Sequence, residues 1–319
     1  SLSIPATIPI NDEFCRFLGY YISEGYYSLK EKSGGSVVIT NSNPEIMKDI
    51  SEISQNLFKI SPKRRAVESL GSSIQHQLHC LPLAELLSKL GCGRTCNEKR
   101  VPPIVFGLSK EKIAAFLRAV YSGDGSFTSS ESSGNSVRYS SISKKLVEDI
   151  SYLLLNFGIV ARITERKQNG ISKQNLWILE FKDRKMVESF LNEIGFVRKI
   201  PQTIIKKWAH TKANFVEFDK EILRKHLTKY PRRYRHLFRF LRCSKNYLEK
   251  VVLDSDCEVS EKLRSFALGD FFLDEIKEVE EIELDDSEYV YDLSVEQTEN
   301  FIGGFGGILL HNTEARALY

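Results

Sequence analysis

Two acidic residues, Glu24 and Asp124, stand 100 positions apart, and each closes the same small pattern. Gly19 and Ser23 precede Glu24 and Gly25 follows it; Ala119 and Gly123 precede Asp124 and Gly125 follows it. Small residues four apart share one helix face. They let two helix backbones approach closely, and a glycine just past the acid suits a helix stop. Helices packed through those faces would bring both carboxylates out at one end. Two carboxylates beside the negative ends of two helix dipoles favour a hard divalent cation with oxygen ligands. One acid from each of two similar halves also suits a substrate with its own pseudo-twofold symmetry, such as duplex DNA.

The elements that must position these acids recur at the same offset. Val37-Val38-Ile39-Thr40 and Lys48-Asp49-Ile50-Ser51 are matched by Val137-Arg138-Tyr139-Ser140 and Glu148-Asp149-Ile150-Ser151. Leu83-Ala84-Glu85 to Leu90-Gly91 is echoed, at slightly longer spacing, by Val187-Glu188 to Ile194-Gly195. So long a period means domain duplication. Each unit reads as helix, two strands, helix, strands, helix. The opening helix spans residues 13–24, with Phe14, Phe17, Leu18, Tyr21 and Ile22 at helical spacing and Asp12 as its N-cap. Its twin spans 110–124, capped by Ser109. Residues 36–40 and 136–140 read as strands. Asn43-Pro44 and Ser143 begin the helices that follow.

The motifs Phe17–Gly25 (FLGYYISEG) and Leu117–Gly125 (LRAVYSGDG) resemble the two LAGLIDADG motifs of a single-chain homing endonuclease. The resemblance covers about residues 13–199. It implies an α+β fold, a pseudo-twofold pair of αββαββα halves whose sheets form a saddle that reads a DNA major groove. It implies Glu24 and Asp124 as metal ligands and catalytic acids, with Gly19, Ser23, Ala119 and Gly123 at the helix interface. The cofactor implied is Mg²⁺, with Mn²⁺ as a substitute, and the partner is double-stranded DNA with a long recognition site, cut on both strands. Internal symmetry makes the enzyme a monomer. The family often carries a basic residue after the strand that follows each motif helix; those positions hold Ser42 and Ile142 here, and Lys144 and Lys63 are the candidate replacements.

The C-terminus carries a second chemistry. Alternation across residues 290–295 and 301–310 predicts strands, and Gly303, Gly304, Gly306 and Gly307 predict a tight turn. No Gly-Lys-Ser/Thr follows those glycines, so they are not a phosphate loop. This region resembles the C-terminal splicing blocks of an intein: VYDLSV, ENFI, then an apolar strand ending His311-Asn312-Thr313. Asn312 can cyclise through its own side-chain amide, His311 can transfer protons at that peptide bond, and Thr313 can serve as the nucleophile. A position in the upstream block often filled by His holds Glu299. The N-terminal splicing blocks are not in this sequence, so the chain is expected to need an N-terminal intein half, as a truncated form or a split intein would, and not to splice alone.

Charge is unevenly spread. The 45 basic and 42 acidic residues give a net charge of +3. Between Arg224 and Lys250, however, ten Lys/Arg face one acid, and between Asp274 and Glu299 twelve acids face one base. The basic stretch interleaves Tyr230, Tyr234, Phe238, Phe240 and Tyr247, a composition that suits a phosphate backbone. Residues 222–226, 232–242 and 245–252 read as short helices. Cys243-Ser244 sits between two of them in a helix–turn–helix-like arrangement, Ser244 capping the second helix. Arg232, Arg233, Arg235, Arg239 and Arg242 are the candidate phosphate contacts. His76, His79, Cys80, Cys92 and Cys96 are irregularly spaced and read as thiols and surface groups rather than zinc ligands.

The expected organisation is therefore a linker at 1–12, LAGLIDADG halves at 13–106 and 107–199, a basic helical subdomain at 200–270, a C-terminal β piece of a Hint-type splicing domain at 271–312, and a C-extein remnant at 313–319. With 42% apolar and 27% charged residues, the bulk is neither disordered nor coiled coil. No apolar run reaches the ~18–20 residues of a membrane span. Six sparse cysteines and no signal-peptide pattern point to the cell interior, cytoplasm or nucleoid. The competing reading is a sequence-specific DNA-binding protein that has lost cleavage; a third is the C-terminal partner of a trans-splicing split intein.

Overall fold

The computed structural model describes residues 3–30, 34–67, 73–132, 134–167, 175–197, 214–269, 271–273, 276, 278–281, 293–304 and 307–311. These fall into two compact units, one drawn from 1–209 and 292–319, the other from 210–291.

The first unit contains the duplication. Half one runs α1 (Asp12–Glu24), β1 (Gly25–Lys30), β2 (Gly34–Asn41), α2 (Pro44–Phe58), β3 (Lys63–Val67), β4 (Ser73–Leu78) and α3 (Leu81–Lys89). After a short α4 (Pro103–Phe106), half two repeats it as α5 (Lys110–Asp124), β5 (Gly125–Ser130), β6 (Gly134–Ser141), α6 (Lys144–Leu155), β7 (Arg162–Arg166), β8 (Leu176–Phe181) and α7 (Arg184–Ser189), the last continued by a π-helical turn, Phe190–Ile194. Each half holds an antiparallel four-stranded sheet of the same order, β1-β2-β4-β3 and β5-β6-β8-β7.

Local chemistry sets the element ends. Asn43 caps α2 by accepting from the Glu45 and Ile46 N–H groups, with Pro44 at the first helical position. Ser143 caps α6 by accepting from Leu146 N–H at 3.2 Å. At α1 the cap is Asn11, which accepts from Phe14 N–H at 3.0 Å, and Asp12 is the first helical residue instead. Both residue types cap well; Asn11 is the one with the extended backbone.

The core joins both halves. Phe17, Leu18, Tyr21, Val37, Ile39, Ile50, Phe116, Leu117, Val120, Val137, Tyr139 and Ile150 are all sealed from solvent and belong to one cluster. Asp49 and Asp149, equivalent in the repeat, each hold an arginine. Asp49 takes Arg16 at 2.9 and 3.0 Å and Tyr20 Oη at 2.7 Å; Asp149 takes Arg100 at 3.2 and 3.1 Å and the Val101 N–H at 3.1 Å.

The second unit contains β9 (Phe215–Glu217), α8 (Lys220–His226), β10 (Leu227–Lys229), a 3₁₀ turn (Arg232–Tyr234), α9 (Arg235–Phe240), β11 (Arg242–Ser244), α10 (Lys245–Leu253), β12 (Glu258–Val259) and α11 (Glu261–Leu268). The helix–turn–helix expectation is corrected here. Arg242–Ser244 is a strand, antiparallel to β9, and the helix expected over 232–242 breaks into a 3₁₀ turn and α9, stopped by left-handed Leu241 (φ 51°). Ser244 does cap α10, accepting from Tyr247 N–H. Lys245 is turned inward, its ammonium donating to the carbonyls of Gly269 and Phe271.

The C-terminal hairpin pairs β13 (Asn300–Gly303) with β14 (Ile308–His311), Asn300 opposite His311. Gly304 and Gly307 have φ of 70° and 78°, which the turn requires. The hairpin lies on α6: Tyr152 Oη donates to Gly304 O at 2.6 Å. Residues 293–295 are not in a strand; residues 290–292 lie outside the described residues. So do Asn312, Thr313 and the remnant beyond. Among the described residues no helix is long and apolar enough to cross a membrane.

Candidate active site

Helices α1 and α5 meet through their small residues. A β-carbon at Gly19 would strike the Phe116 carbonyl and come 2.7 Å from the Ala119 Cβ. One at Gly123 would strike the Ser23 hydroxyl, 2.6 Å from its Cβ and 3.0 Å from the Glu24 Cγ. All four small residues singled out in the sequence thus lie at this crossing. Both helices terminate there, and each is followed at once by a strand, so Glu24 and Asp124 share one end of the pair.

The two acids differ in their surroundings. Glu24 is half-buried and accepts from the Asn41 amide at 2.6 Å. Asn41 is itself oriented, its carbonyl oxygen taking the Asn43 N–H at 2.7 Å. Burial holds the Glu24 carboxyl above its usual range, and the Asn41 bond opposes that. Asp124 keeps an exposed surface, yet its carboxyl is raised to about 7, first by crowding from protein atoms, then by the Glu24 charge, with Lys99 opposing. Water screens part of that effect; burial and a second carboxylate both act in this direction. At the position equivalent to Asn41, Ser141 uses its hydroxyl to accept the Ser143 N–H at 3.1 Å.

Lys99 is the residue that the sequence reading missed. It is 3% exposed, donates to Tyr21 O at 2.7 Å, and sits 3.4 Å from the centroid of the Tyr21 ring. Burial lowers its ammonium to about 7, a shift that the charges of Cys92, Cys96 and Asp124 oppose. The segment between the halves is tied down around it. Tyr21 Oη donates to Gly93 O at 2.7 Å, Ser143 Oγ donates to Lys99 O at 2.8 Å, and Arg100 reaches Asp149. A signal existed in the sequence. Lys99-Arg100-Val101-Pro102 is echoed by Arg198-Lys199-Ile200-Pro201, a second copy at an offset of 99.

A cleft of about 630 Å³ opens beside Glu24, lined also by Asn41, Ser42, Ser73, Ser122 and Gly123 among others; Asp124 is not in its lining. The position of the absent basic residue, Ser42, therefore faces this space. Lys144 pairs with Glu148 at 3.8 Å and covers the Trp177 ring, while Lys63 lies on the edge strand β3 opposite Gln77. The two acids fit a hard divalent cation. They are oxygen donors, and Asp124 is raised first by burial and then by the Glu24 charge, a balance that a bound cation would shift back toward the ionised form. Two carboxylates leave the remaining positions to water and to phosphate oxygens.

The other site candidates are spread. His311 pairs with Glu299 at 3.4 Å in the hairpin. In the second unit Arg232, Arg235 and Arg239 are exposed. Arg233 is clamped by Asp254 at 2.6 Å and Asp256 at 2.8 Å, and Arg242 pairs with Glu217 at 3.4 Å. Cys80 and Cys92 are buried free thiols and Cys96 is an exposed one.

A family model described as a LAGLIDADG-like domain matches residues 13–90 and 111–195. A DNA polymerase of Thermococcus aggregans is 31% identical over 96% of this chain and 15% of that protein. An isomerizing glutamine–fructose-6-phosphate aminotransferase of Methanocaldococcus jannaschii is 24% identical over 94% of this chain and 27% of that protein. The chain thus spans less than a third of either relative. The crystal structure of I-DmoI in complex with DNA and Mn is similar with a TM-score of 0.43 at 17% identity, over 59% of this chain and 98% of that one.

Proposed function

The chain belongs to the LAGLIDADG family, and we propose that it is an intein-borne homing endonuclease that cuts both strands of a long duplex DNA site with a divalent cation, Mg²⁺ or Mn²⁺. The observation that carries this reading is the convergence of Glu24 and Asp124 at one end of the α1–α5 pair, one acid from each copy of the repeat. Two half-sites then serve two strands without a second subunit, so the enzyme acts as a monomer.

Glu24 and Asp124 would hold the cation, and Asn41 keeps Glu24 pointed into the cleft. When bound, the cation supplies the charge that makes a water nucleophilic and offsets charge on the leaving 3′ oxygen. Lys99, buried against the end of α1, sets the local field at Asp124 and favours its ionised form. One face of the first half's sheet carries Lys63, Arg65, Gln75 and Gln77 in register across β3 and β4, side-chain types that recognise base edges. The missing lysines at Ser42 and Ile142 favour a binding protein without cleavage; the buried Lys99, whose charge acts on Asp124, weighs against it.

The splicing part rests on a different argument. A polymerase and an aminotransferase share no activity, yet each contains a segment similar to nearly all of this chain and devotes only 15% or 27% of its length to it. That supports an inserted element with its own function. The chain would then end in the C-terminal splicing blocks, Asn312 cyclising and Thr313 acting as nucleophile once an N-terminal half is present.

The test is plasmid cleavage at the host gene's uninterrupted insertion point, with Mg²⁺, for the chain and for Glu24→Gln and Asp124→Asn. A double-strand cut lost in both variants is the expected result. Tight binding with no cut in Mg²⁺ or Mn²⁺ would overturn the nuclease reading in favour of the binder.

A further inference from the structure

We propose that Phe240 is a wedge: its ring inserts from the minor groove between two base pairs of a DNA duplex, while Arg232, Arg235 and Arg239 hold the flanking phosphates. The inference rests on the DNA reading above and adds to it a contact to the bases from the second unit.

Helix α9 has already used its apolar positions. Leu237 is sealed in the core of this unit, and Phe238 stacks on Tyr230 with ring centroids 4.5 Å apart and planes at 18°. Phe240 is left outside, 65% exposed, more than any other aromatic ring among the described residues. Residues four apart share a helix face, so Phe240 lies with His236, and Arg235 lies with Arg239. The Arg239 guanidinium is 5.4 Å from the centroid of the Phe240 ring. An exposed ring is thus set among cations, an arrangement that suits bases between phosphates.

The backbone holds that ring outward. Left-handed Leu241, φ 51°, ends α9 immediately after Phe240. The Leu241 N–H donates to Leu237 O at 2.8 Å, and the Leu241 carbonyl accepts the Phe218 N–H at 2.8 Å. The exit from the helix is therefore tied to a second segment. A side chain placed in this way has less freedom to lose on binding.

Charge indicates what the ring meets. Asp254 and Asp256 are engaged by Arg233, and Glu217 by Arg242. Arg232, Arg235 and Arg239 are exposed and have no ion pair among the described residues. Phosphates on either side of a base step would satisfy them. Proteins that enter the minor groove frequently combine arginines with an apolar wedge, which unstacks one step and kinks the duplex. Pyrimidine–purine steps unstack most easily and are the expected target.

The experiment scans a duplex of the uninterrupted insertion site with 2-aminopurine, one position at a time, against saturating full chain in chelator. Fluorescence rises where a base loses its stacking partner. The expected result is a rise confined to one pyrimidine–purine step, lost in Phe240→Ala and kept in Phe240→Leu. Phe240→Ala should also bind about tenfold more weakly, the scale of one aromatic–base stack, with its salt dependence and melting temperature unchanged. Arg239→Ala should lower the salt dependence and keep the rise. A rise that survives in Phe240→Ala would overturn the inference and leave the DNA reading standing. Tighter binding of single strand than of duplex, lost in Phe240→Ala, would overturn the wedge in favour of a single-strand stacking platform. Failure of the unaltered chain to bind any duplex would overturn the DNA reading, and the inference with it.

Discussion

Gly19 and Ala119 face each other across the α1–α5 crossing so closely that a β-carbon on the glycine would lie 2.7 Å from the alanine's own. The Phe116 carbonyl would be nearer still, and it is backbone rather than the far end of a flexible side chain. The crossing sets how near Glu24 comes to Asp124, so helix packing and chemistry share one constraint. Gly19→Ala should destabilise the protein by about 1–3 kcal/mol through overpacking, read from urea midpoints. Adding Ala119→Gly should recover only part of the loss, since it removes the side-chain clash and not the carbonyl one. Full recovery would show that the backbones can move apart.

The pH dependence of the metal-free protein follows from the same crowding. Asp124 titrates about 7 rather than near 3.8. Between roughly those values the folded chain keeps a proton that the unfolded chain has lost, so this group's contribution falls as pH rises through that window. Lys99 is lowered from 10.5 to about 7. Across that interval the unfolded chain holds the extra proton, so this contribution rises with pH. The pair together produces a stability minimum close to pH 7. Urea midpoints measured in chelator from pH 4 to 10 should show it. Asp124→Asn should remove the falling limb and Lys99→Met the rising one. Divalent cation binding, which competes with the Asp124 proton, should strengthen up to about pH 7 and then level off.

Lys99 separates stability from activity. A buried ammonium costs desolvation that its bond to the Tyr21 carbonyl and the Tyr21 ring face only partly offset. Lys99→Met should therefore leave the melting temperature unchanged or higher. The same change removes the cation that favours ionised Asp124. DNA cleavage should fall by about 10- to 100-fold, the usual scale for a partner that supports a metal ligand, while the DNA dissociation constant is unchanged. A parallel loss of binding would mean that Lys99 organises the DNA surface instead.

Much of this site was legible in the sequence because the duplication prints each signal twice. Glu24 and Asp124, the small residues before them, and the caps Asn43 and Ser143 all fall at one offset. Asp49 and Asp149 fall at it too, although their arginines come from different places, α1 in one half and the inter-half segment in the other. What was hidden depends on distance in space. Lys99 reads as a surface lysine until burial is known. β11 is three residues long, too short to show alternation, and its partner strand lies some 27 positions earlier. The clamp on Arg233 comes from Asp254 and Asp256, 21 and 23 residues on, a pairing that no local pattern announces.

That clamp divides the basic residues of the second unit into two kinds. Asp254 is lowered to about 2 by the Tyr234 hydroxyl first and by Arg233 next, so this aspartate is committed to the fold. Arg233→Ala should lower the melting temperature and leave the salt dependence of DNA binding almost unaltered. Arg232, Arg235 and Arg239 are exposed; Arg239 stacks on its neighbour Phe240, at 5.4 Å. We predict that each contacts a phosphate. Replacing one by Ala should reduce the slope of log K against log salt by about 0.9, the counterion equivalent of one phosphate contact on duplex DNA. It should weaken binding to all sequences alike. Titrations at several salt concentrations, with specific and random duplexes, measure both quantities. An unchanged slope in all three variants would make this unit a scaffold and remove it from the DNA interface.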